Sequence, residues 1–508
     1  MNKMNVLQLG GDNWADQYQI PSDIKWEFND YPVKDKKKQH RYDAVIFTGE
    51  PALTGDEWFR LQWLVDPYKV FYLPGVKAAA GKQLRLFLHQ QKAAAIEQLP
   101  QDLIADLIPK YYTGQSGLRI LPSMLLLNTR NFPGYQYVDG QHMEVDVQAE
   151  QDWQDLGTYK QSLFIDPHHL IKFWLEYQGT GLQIRLRVFI QPNGGDGEIK
   201  DCYYLPVTGE QEMELPIKAA SDVRFGCIGL EVRGTGKLRL GVLHSRWSRA
   251  GQGAFLTGGE RIVDPVKHED IAYYFNPGDM RPPLNVYFSG ARGLEGFEAY
   301  PLFRNTHAPS LLFTDMRLEI GQFYTGPVIE EQIKKVIRAK LAELGLTNHE
   351  LIMNGISMGT YPAMKLGMQL SAYAINVAKP IANLGHVAER GRLQRPDEFA
   401  TIFDIDAQIV PDLDEQSLRQ LDEEFWRLAS QTDLTETRLF ISVMENDDYD
   451  DRALAGLQKN TAVQKAKQFT YKGFGGRHND NPASIQWFAQ RVAYLTGKEF
   501  KRSNAFNE

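Results

Sequence analysis

From about residue 282 to the end of the chain, short apolar runs alternate strictly with helical spacing, and this rhythm constrains the fold more than any other feature. LNVYFSG, SLLFTDMRL, HELIMNG, AYAINVA, RLFISVME and QFTYKGF read as buried strands. Between them lie helical stretches at Val328 to Leu344, Gly359 to Met368, Glu415 to about Leu428 and from about Asp451, with a last one at Ala483 to Tyr494. Strands that alternate with helices form βαβ units, and these close a parallel sheet covered on both faces.

The apolar strand LIMNG runs straight into Gly355-Ile356-Ser357-Met358-Gly359, and a helix follows at once. A GxSxG sequence between strand and helix is the arrangement a nucleophile elbow needs, and it marks this region as an α/β-hydrolase-type domain with Ser357 as nucleophile. A serine hydroxyl needs an adjacent base. In this fold the acid and the histidine follow the serine in that order, from loops after later strands. His478, after QFTYKGF and before the last helix, fits the histidine, whereas His386 comes before the acid-bearing strand. The acid lies in the run Glu445-Asn446-Asp447-Asp448-Tyr449-Asp450. Spacing favours Asp447, with Asp448 and Glu445 as alternatives; other members of the run would cap the next helix. The oxyanion hole takes one donor from the Met358 N–H. Its other donor falls in the loop Gly290-Ala291-Arg292-Gly293, with Gly290 and Ala291 as candidates.

The chain has 508 residues, too many for one ordinary core. Residues 1–128 mix short strands ending in glycine with helical spacing over Gln83 to Ile108, which predicts a small Rossmann-like α/β domain. Gly10-Gly11 there reads as a strand-end turn, since no GxGxxG is present. Residues 129–265 are rich in strands and turns, which predicts a β-sandwich of jelly-roll type. Trp153, Trp174, Tyr177, Tyr203, Tyr204 and Trp247 are its aromatic residues, available either to a core or to a carbohydrate. Residues 266–508 make the hydrolase-type domain.

A net charge of −8, from 56 basic and 64 acidic residues, argues against a nucleic-acid binder. The basic run Lys34 to Lys38 reads as a solvated loop. Cys202 and Cys227, the two cysteines, imply no disulfide framework and a reducing compartment. No long apolar run or leader pattern is present, so a cytoplasmic protein is expected. The pair His168-His169 lacks ligand spacing, and neither a metal nor a cofactor is expected.

With these motifs in place, the chain resembles the acetyltransferase component of the accessory Sec system, which exports serine-rich-repeat adhesins from Gram-positive bacteria. The resemblance covers most of the chain. It rests on NGISMGTYPAMKLG, GGRHNDN, HSRWSRAGQGAFLTGGERIVD (244–264), VYFSGARGLEGFE and ENDDYDD. It implies O-acetylation of N-acetylglucosamine on the glycosylated adhesin before export, from an acetyl donor the sequence does not identify. It also implies a complex with two sister accessory Sec proteins and the accessory SecA ATPase, peripheral to the translocon at the inner face of the membrane. Ser357 and His478 match the family pattern. The family's acid is a glutamate, whereas here Asp447 stands near that place and Glu445 lies two residues earlier.

Overall fold

The computed structural model describes residues 3–29, 41–110, 117–165, 169–193, 198–209, 211–216, 223–249, 258–395 and 401–502. Lys34 to Lys38, His168 and residues 250–257 of the 244–264 motif lie outside the described residues.

Three sheets follow one another along the chain. The first has five parallel strands, ordered Ile24–Phe28, Met4–Leu9, Ala44–Phe47, Val70–Tyr72 and Ala94–Ala95. Its helix Gly55–Leu64 starts at a capping box in which Thr54 and Glu57 satisfy each other's backbone N–H groups. The helical spacing expected over Gln83 to Ile108 is two helices, Lys82–Gln90 and Pro100–Lys110, broken by the short strand Ala94–Ala95 and Pro100.

The middle sheet has nine strands among the described residues, and its two longest run on through glycines. Arg224–Trp247 runs for 24 residues and Met143–Ile165 for 23. Arg224–Trp247 pairs first with Leu182–Pro192 and then with Ile171–Gly179, while Met143–Ile165 follows it along its other edge. Register shifts around Gly229 and Gly234 bend the pair, so the glycines that read as turns act as bulges. The strands wrap one core that includes Leu186, Val188, Leu230, Val232 and Leu240. Cys202 and Cys227 are both cross-strand partners of Phe189, on opposite sides of it. Two strand spacings, about 9.6 Å, therefore part them, and both are free thiols.

The third sheet carries the site, and its strands are numbered β1 (Glu260–Val263), β2 (Asp270–Asn276), β3 (Leu284–Phe288), β4 (Ser310–Asp315), β5 (Leu351–Ile356), β6 (Ala374–Ala378), β7 (Arg438–Met444) and β8 (Gln468–Phe474). Their order is β1-β2-β4-β3-β5-β6-β7-β8. β2 runs antiparallel to both its neighbours, and every pairing from β4 across to β8 is parallel. This is the α/β-hydrolase fold. Strands β3 to β6 are buried along their whole length, as a parallel sheet covered on both faces requires. The helix Pro327–Leu344 packs on it through Ile329, Ile333, Ile337 and Leu341, an i, i+4 stripe. Pro327 opens that helix and Gly345 closes it in the left-handed conformation.

A buried ion network joins the middle sheet to the third. Arg246 is 1% exposed and holds Asp270 through two bonds of 2.9 Å and Glu295 through one of 2.7 Å. His244 bridges Glu176, at 3.1 Å, and Glu295. Burial alone would raise the Glu295 carboxyl, but Arg246 and His244 outweigh it and bring it down to about 2. The residues of the 244–249 motif are thus spent on the seam between two sheets.

Candidate functional site

Strand β5 delivers Ser357 to the carboxyl edge of the third sheet, and the chain turns there into the helix Thr360–Gln369. Ser357 sits at φ 53°, a left-handed conformation that costs a residue with a Cβ roughly 1–2 kcal/mol. The glycines on either side make that turn sterically possible. A Cβ at Gly355 would overlap the Gly359 carbonyl, and one at Gly359 would overlap the Phe288 carbonyl of β3. The Thr360 hydroxyl donates to the Ser357 carbonyl at 2.6 Å and accepts from the Ile381 N–H at 2.8 Å, tying the turn to the loop after β6.

Ser357 Oγ lies 2.9 Å from Nε2 of His478. The other ring nitrogen, Nδ1, lies 3.1 and 3.0 Å from the two carboxylate oxygens of Asp447. His478 is 1% exposed and Asp447 7%, so the pair is shielded from water. Serine, acid and histidine come from the loops after β5, β7 and β8. The Tyr449 ring stacks on the imidazole at 4.2 Å, and the Arg395 guanidinium covers the far side of Tyr449 at 3.9 Å.

The carboxylates that crowd the loop after β7 have separate partners. Asp448 accepts the His478 backbone N–H at 3.0 Å, placing the histidine without touching its ring. Asp450 accepts from the Ala382 and Asn383 backbones at 2.7 and 2.8 Å. Asp451 pairs with His386 and Arg390, each at 2.8 Å. Glu445 is exposed beside Gly473 on β8 and makes no contact with the imidazole. Of the three candidate acids, Asp447 alone reaches the ring.

The loop after β3 departs from the expectation at one atom. The Gly290 N–H, expected to point at a substrate oxygen, donates instead to the Glu298 carboxylate at 2.8 Å. The same oxygen accepts the Tyr287 hydroxyl at 2.7 Å. Ala291 is exposed at the loop's tip. From the outside, Arg119 of the middle sheet donates to the Arg292 and Glu319 carbonyls and to that of Asp315 at 3.0 Å.

Two further charged groups face this site without a sequence signal. Glu298 is one. Lys379, the first residue after β6, is the other: it is 6% exposed at φ 59°, between the strands that deliver Ser357 and Asp447. Burial holds its ammonium below the ordinary lysine range, opposed by Asp447, Glu298 and Asp480. A GxSxG reading carries no information on either, since both act across the sheet's edge.

Among the aromatic residues of the middle sheet, Trp174 is buried, with its indole N–H on the His268 carbonyl at 2.7 Å. Tyr177 stacks on His268 at 4.4 Å. Trp153 and Tyr204 sandwich Arg185, each with its ring at 4.2 Å. Tyr203 and Trp247 pack against the edge of the core.

A family model described as the accessory Sec system GspB-transporter matches residues 4–502. An accessory Sec system protein of Streptococcus gordonii is 31% identical over 515 residues, covering 99% of both chains. Its counterpart in Staphylococcus aureus is 31% identical over 522 residues, covering 98% of both. A chain in the solved Glycosylation Associate Protein (Gap123) complex from Streptococcus agalactiae superposes with a TM-score of 0.87 at 31% identity, with 99% of each chain covered. No helix among the described residues is long and apolar enough to cross a membrane.

Proposed function

Since this chain belongs to the accessory Sec system GspB-transporter family, we propose that it is a serine O-acyltransferase that acetylates N-acetylglucosamine on serine-rich-repeat adhesins before their export. The observation that carries the reading is the continuous hydrogen-bonded line from Ser357 Oγ through His478 to Asp447 at the carboxyl edge of the sheet. The proteins it works beside are the sister accessory Sec proteins and the accessory SecA ATPase, and the solving of the Gap123 relative as a complex supports an assembly of this kind. Its place is the cytoplasmic side of the translocon.

In this reaction Ser357 Oγ attacks the acetyl carbonyl carbon of the donor, and its proton passes to Nε2 of His478. Asp447 holds the opposite proton on Nδ1, which keeps Nε2 free to act as base and stabilises the imidazolium. The oxyanion receives the Met358 N–H and, with Gly290 engaged by Glu298, the Ala291 N–H. The donor's leaving group departs with the proton from Nε2, and an acetyl-serine remains. A sugar hydroxyl then gives its proton to Nε2, attacks the acetyl-serine, and restores the Ser357 hydroxyl.

The test compares the mass of the adhesin glycans, and adhesin export, between cells with the native protein and cells with Ser357→Ala. Loss of the acetyl increments with the protein still folded and abundant is expected. Acetylation that persists unchanged in the variant overturns the reading. In vitro, a chromogenic acetate ester should acylate the native protein, with release accelerated by added N-acetylglucosamine; turnover indifferent to the sugar would make the protein an esterase.

A further inference from the structure

Away from the serine, a cavity of about 220 Å³ opens at the seam between the middle sheet and the third domain. Its walls come from the end of the strand Ile171–Gly179, from the strand Arg224–Trp247, from the segment leading into β2, and from Gln408 beyond the helix Ile402–Asp406. Neither Ser357 nor Asp447 nor His478 lines it. At the ~30 Å³ that a water occupies in the liquid, the space holds about seven waters, or one small ring compound.

Two lining groups turn polar atoms toward this cavity that have no side-chain or backbone partner among the described residues. Glu269 is 4% exposed, and no donor among the described residues reaches its carboxylate. Its nearest cations, Arg317 and Lys267, stand at 3.8 and 3.9 Å, beyond hydrogen-bond range. His142, 5% exposed, spends Nδ1 on Asp139 at 2.9 Å, while its Nε2 has no partner among the described residues. A ligand hydroxyl that reaches either atom takes the place of water there, so the cavity offers a ligand both a carboxylate and an imidazole nitrogen.

The lining's charge selects among ligands. Two carboxylates, Glu176 and Glu269, face two cations, Arg239 and Lys267. The site is therefore balanced, and an ion gains little from it over water. Donors and acceptors both line it, and Tyr177, held flat against His268 at an interplanar angle of 5°, supplies an aromatic side chain to the wall. Hydroxyl-rich rings with one apolar face match this combination.

We infer that this seam cavity binds one neutral sugar residue, as a docking site separate from the serine. Such a site would hold a glycan against the two domains that the Arg246 network joins. The inference does not depend on the acyl-transfer reading, because binding needs no chemistry at Ser357.

The test is saturation-transfer NMR on the full chain with N-acetylglucosamine and methyl glucoside as probes. Binding with Kd near about 1 mM is expected in the native protein and, unchanged, in Ser357→Ala. Gln178→Trp, which fills the cavity from its half-exposed wall, and Glu269→Gln should each weaken it by about tenfold or more. Near-ultraviolet circular dichroism checks that both variants remain folded, and Lys267→Ser on the same wall replaces either one that does not. No transfer to the native protein overturns the inference, as does binding indifferent to the folded lining variants. Binding abolished by Ser357→Ala also overturns it, since the sugar would then sit in the catalytic cleft.

Discussion

Replacing Asp447 with asparagine tests the relay at its least legible member. Oδ1 of Asp447 accepts the Tyr449 and Asp450 backbone N–H groups at 2.8 and 3.3 Å. In Asp447→Asn the amide oxygen must stay where those two donors point, so the NH₂ group replaces Oδ2, 3.0 Å from Nδ1. That NH₂ can only donate. Since two backbone N–H groups already occupy the amide oxygen, 3.1 Å from Nδ1, the NH₂ favours the imidazole with its proton on Nε2, 2.9 Å from Ser357 Oγ, where an N–H cannot accept the serine's proton. A tautomer locked in this way lowers kcat by about 10⁴, or about 5.4 kcal/mol of barrier. Asp447→Ala leaves the ring free to choose its tautomer and should lose less than Asn does. Steady-state turnover of a chromogenic acetate ester, with thermal melts to confirm folding, measures both. Glu445→Gln serves as the control and should match the native protein. An Asn variant within about tenfold of native, or an Ala variant worse than Asn, would refute the reasoning.

Three further outcomes concern stability. Ser357→Gly should melt above Ser357→Ala by about 0.5–1 kcal/mol, because glycine relieves φ 53° but loses more freedom on folding; equal melting would show that the turn is unstrained. Asp406 is fully buried with neither carboxylate oxygen hydrogen-bonded among the described residues, and burial together with the nearby Asp422 holds its carboxyl well above the ordinary range. The folded chain therefore keeps a proton that the unfolded chain releases above its ordinary carboxylate pKa, and stability drains away as pH rises from there; Asp406→Asn should gain about 1–3 kcal/mol at pH 8 and nothing below pH 4, read from melts at the two pH values. Arg246→Leu strands Asp270 and Glu295 and should cost about 3–5 kcal/mol. Since Glu295 titrates near 2 in the folded chain, its stabilisation is present above the ordinary carboxylate range and lost as pH falls toward 2. In Arg246→Leu, acid unfolding followed by circular dichroism should therefore begin at a higher pH, and an unmoved transition would exclude the network from stability.

What the sequence revealed was local or ordered along the chain. The elbow is five consecutive residues whose glycines answer to one steric demand, and His478 follows from its position after the last strand. Asp447 could not be separated from Asp448 because their difference is set by atoms far away in sequence: one meets the ring of His478 and the other its backbone N–H. The same limit applies to Gly290, whose N–H is taken by a carboxylate eight residues on. The length of the strand Arg224–Trp247 was not legible because glycines break a pattern equally well as turns or as bulges, and only pairing with Met143–Ile165 decides between them. The 244–264 stretch carried the family resemblance with no role attached, and the charges of its described start, His244 and Arg246, are buried between sheets.

That last placement bears on why the middle sheet belongs to the catalytic unit. In the proposed reaction the loop from Ser289 to Glu298 would present a backbone N–H at a fixed point, and an error of a fraction of an ångström there would weaken oxyanion stabilisation. Glu298 holds the loop from within through Gly290. From outside, Arg119 grips the Arg292 carbonyl, and His244 and Arg246 grip Glu295. Three of these four anchors belong to the middle sheet. The Ser289 to Glu298 loop is thus shaped as much by the middle sheet as by the sheet that carries the serine, and under the proposed reaction the Arg246 network would serve the chemistry as well as the fold.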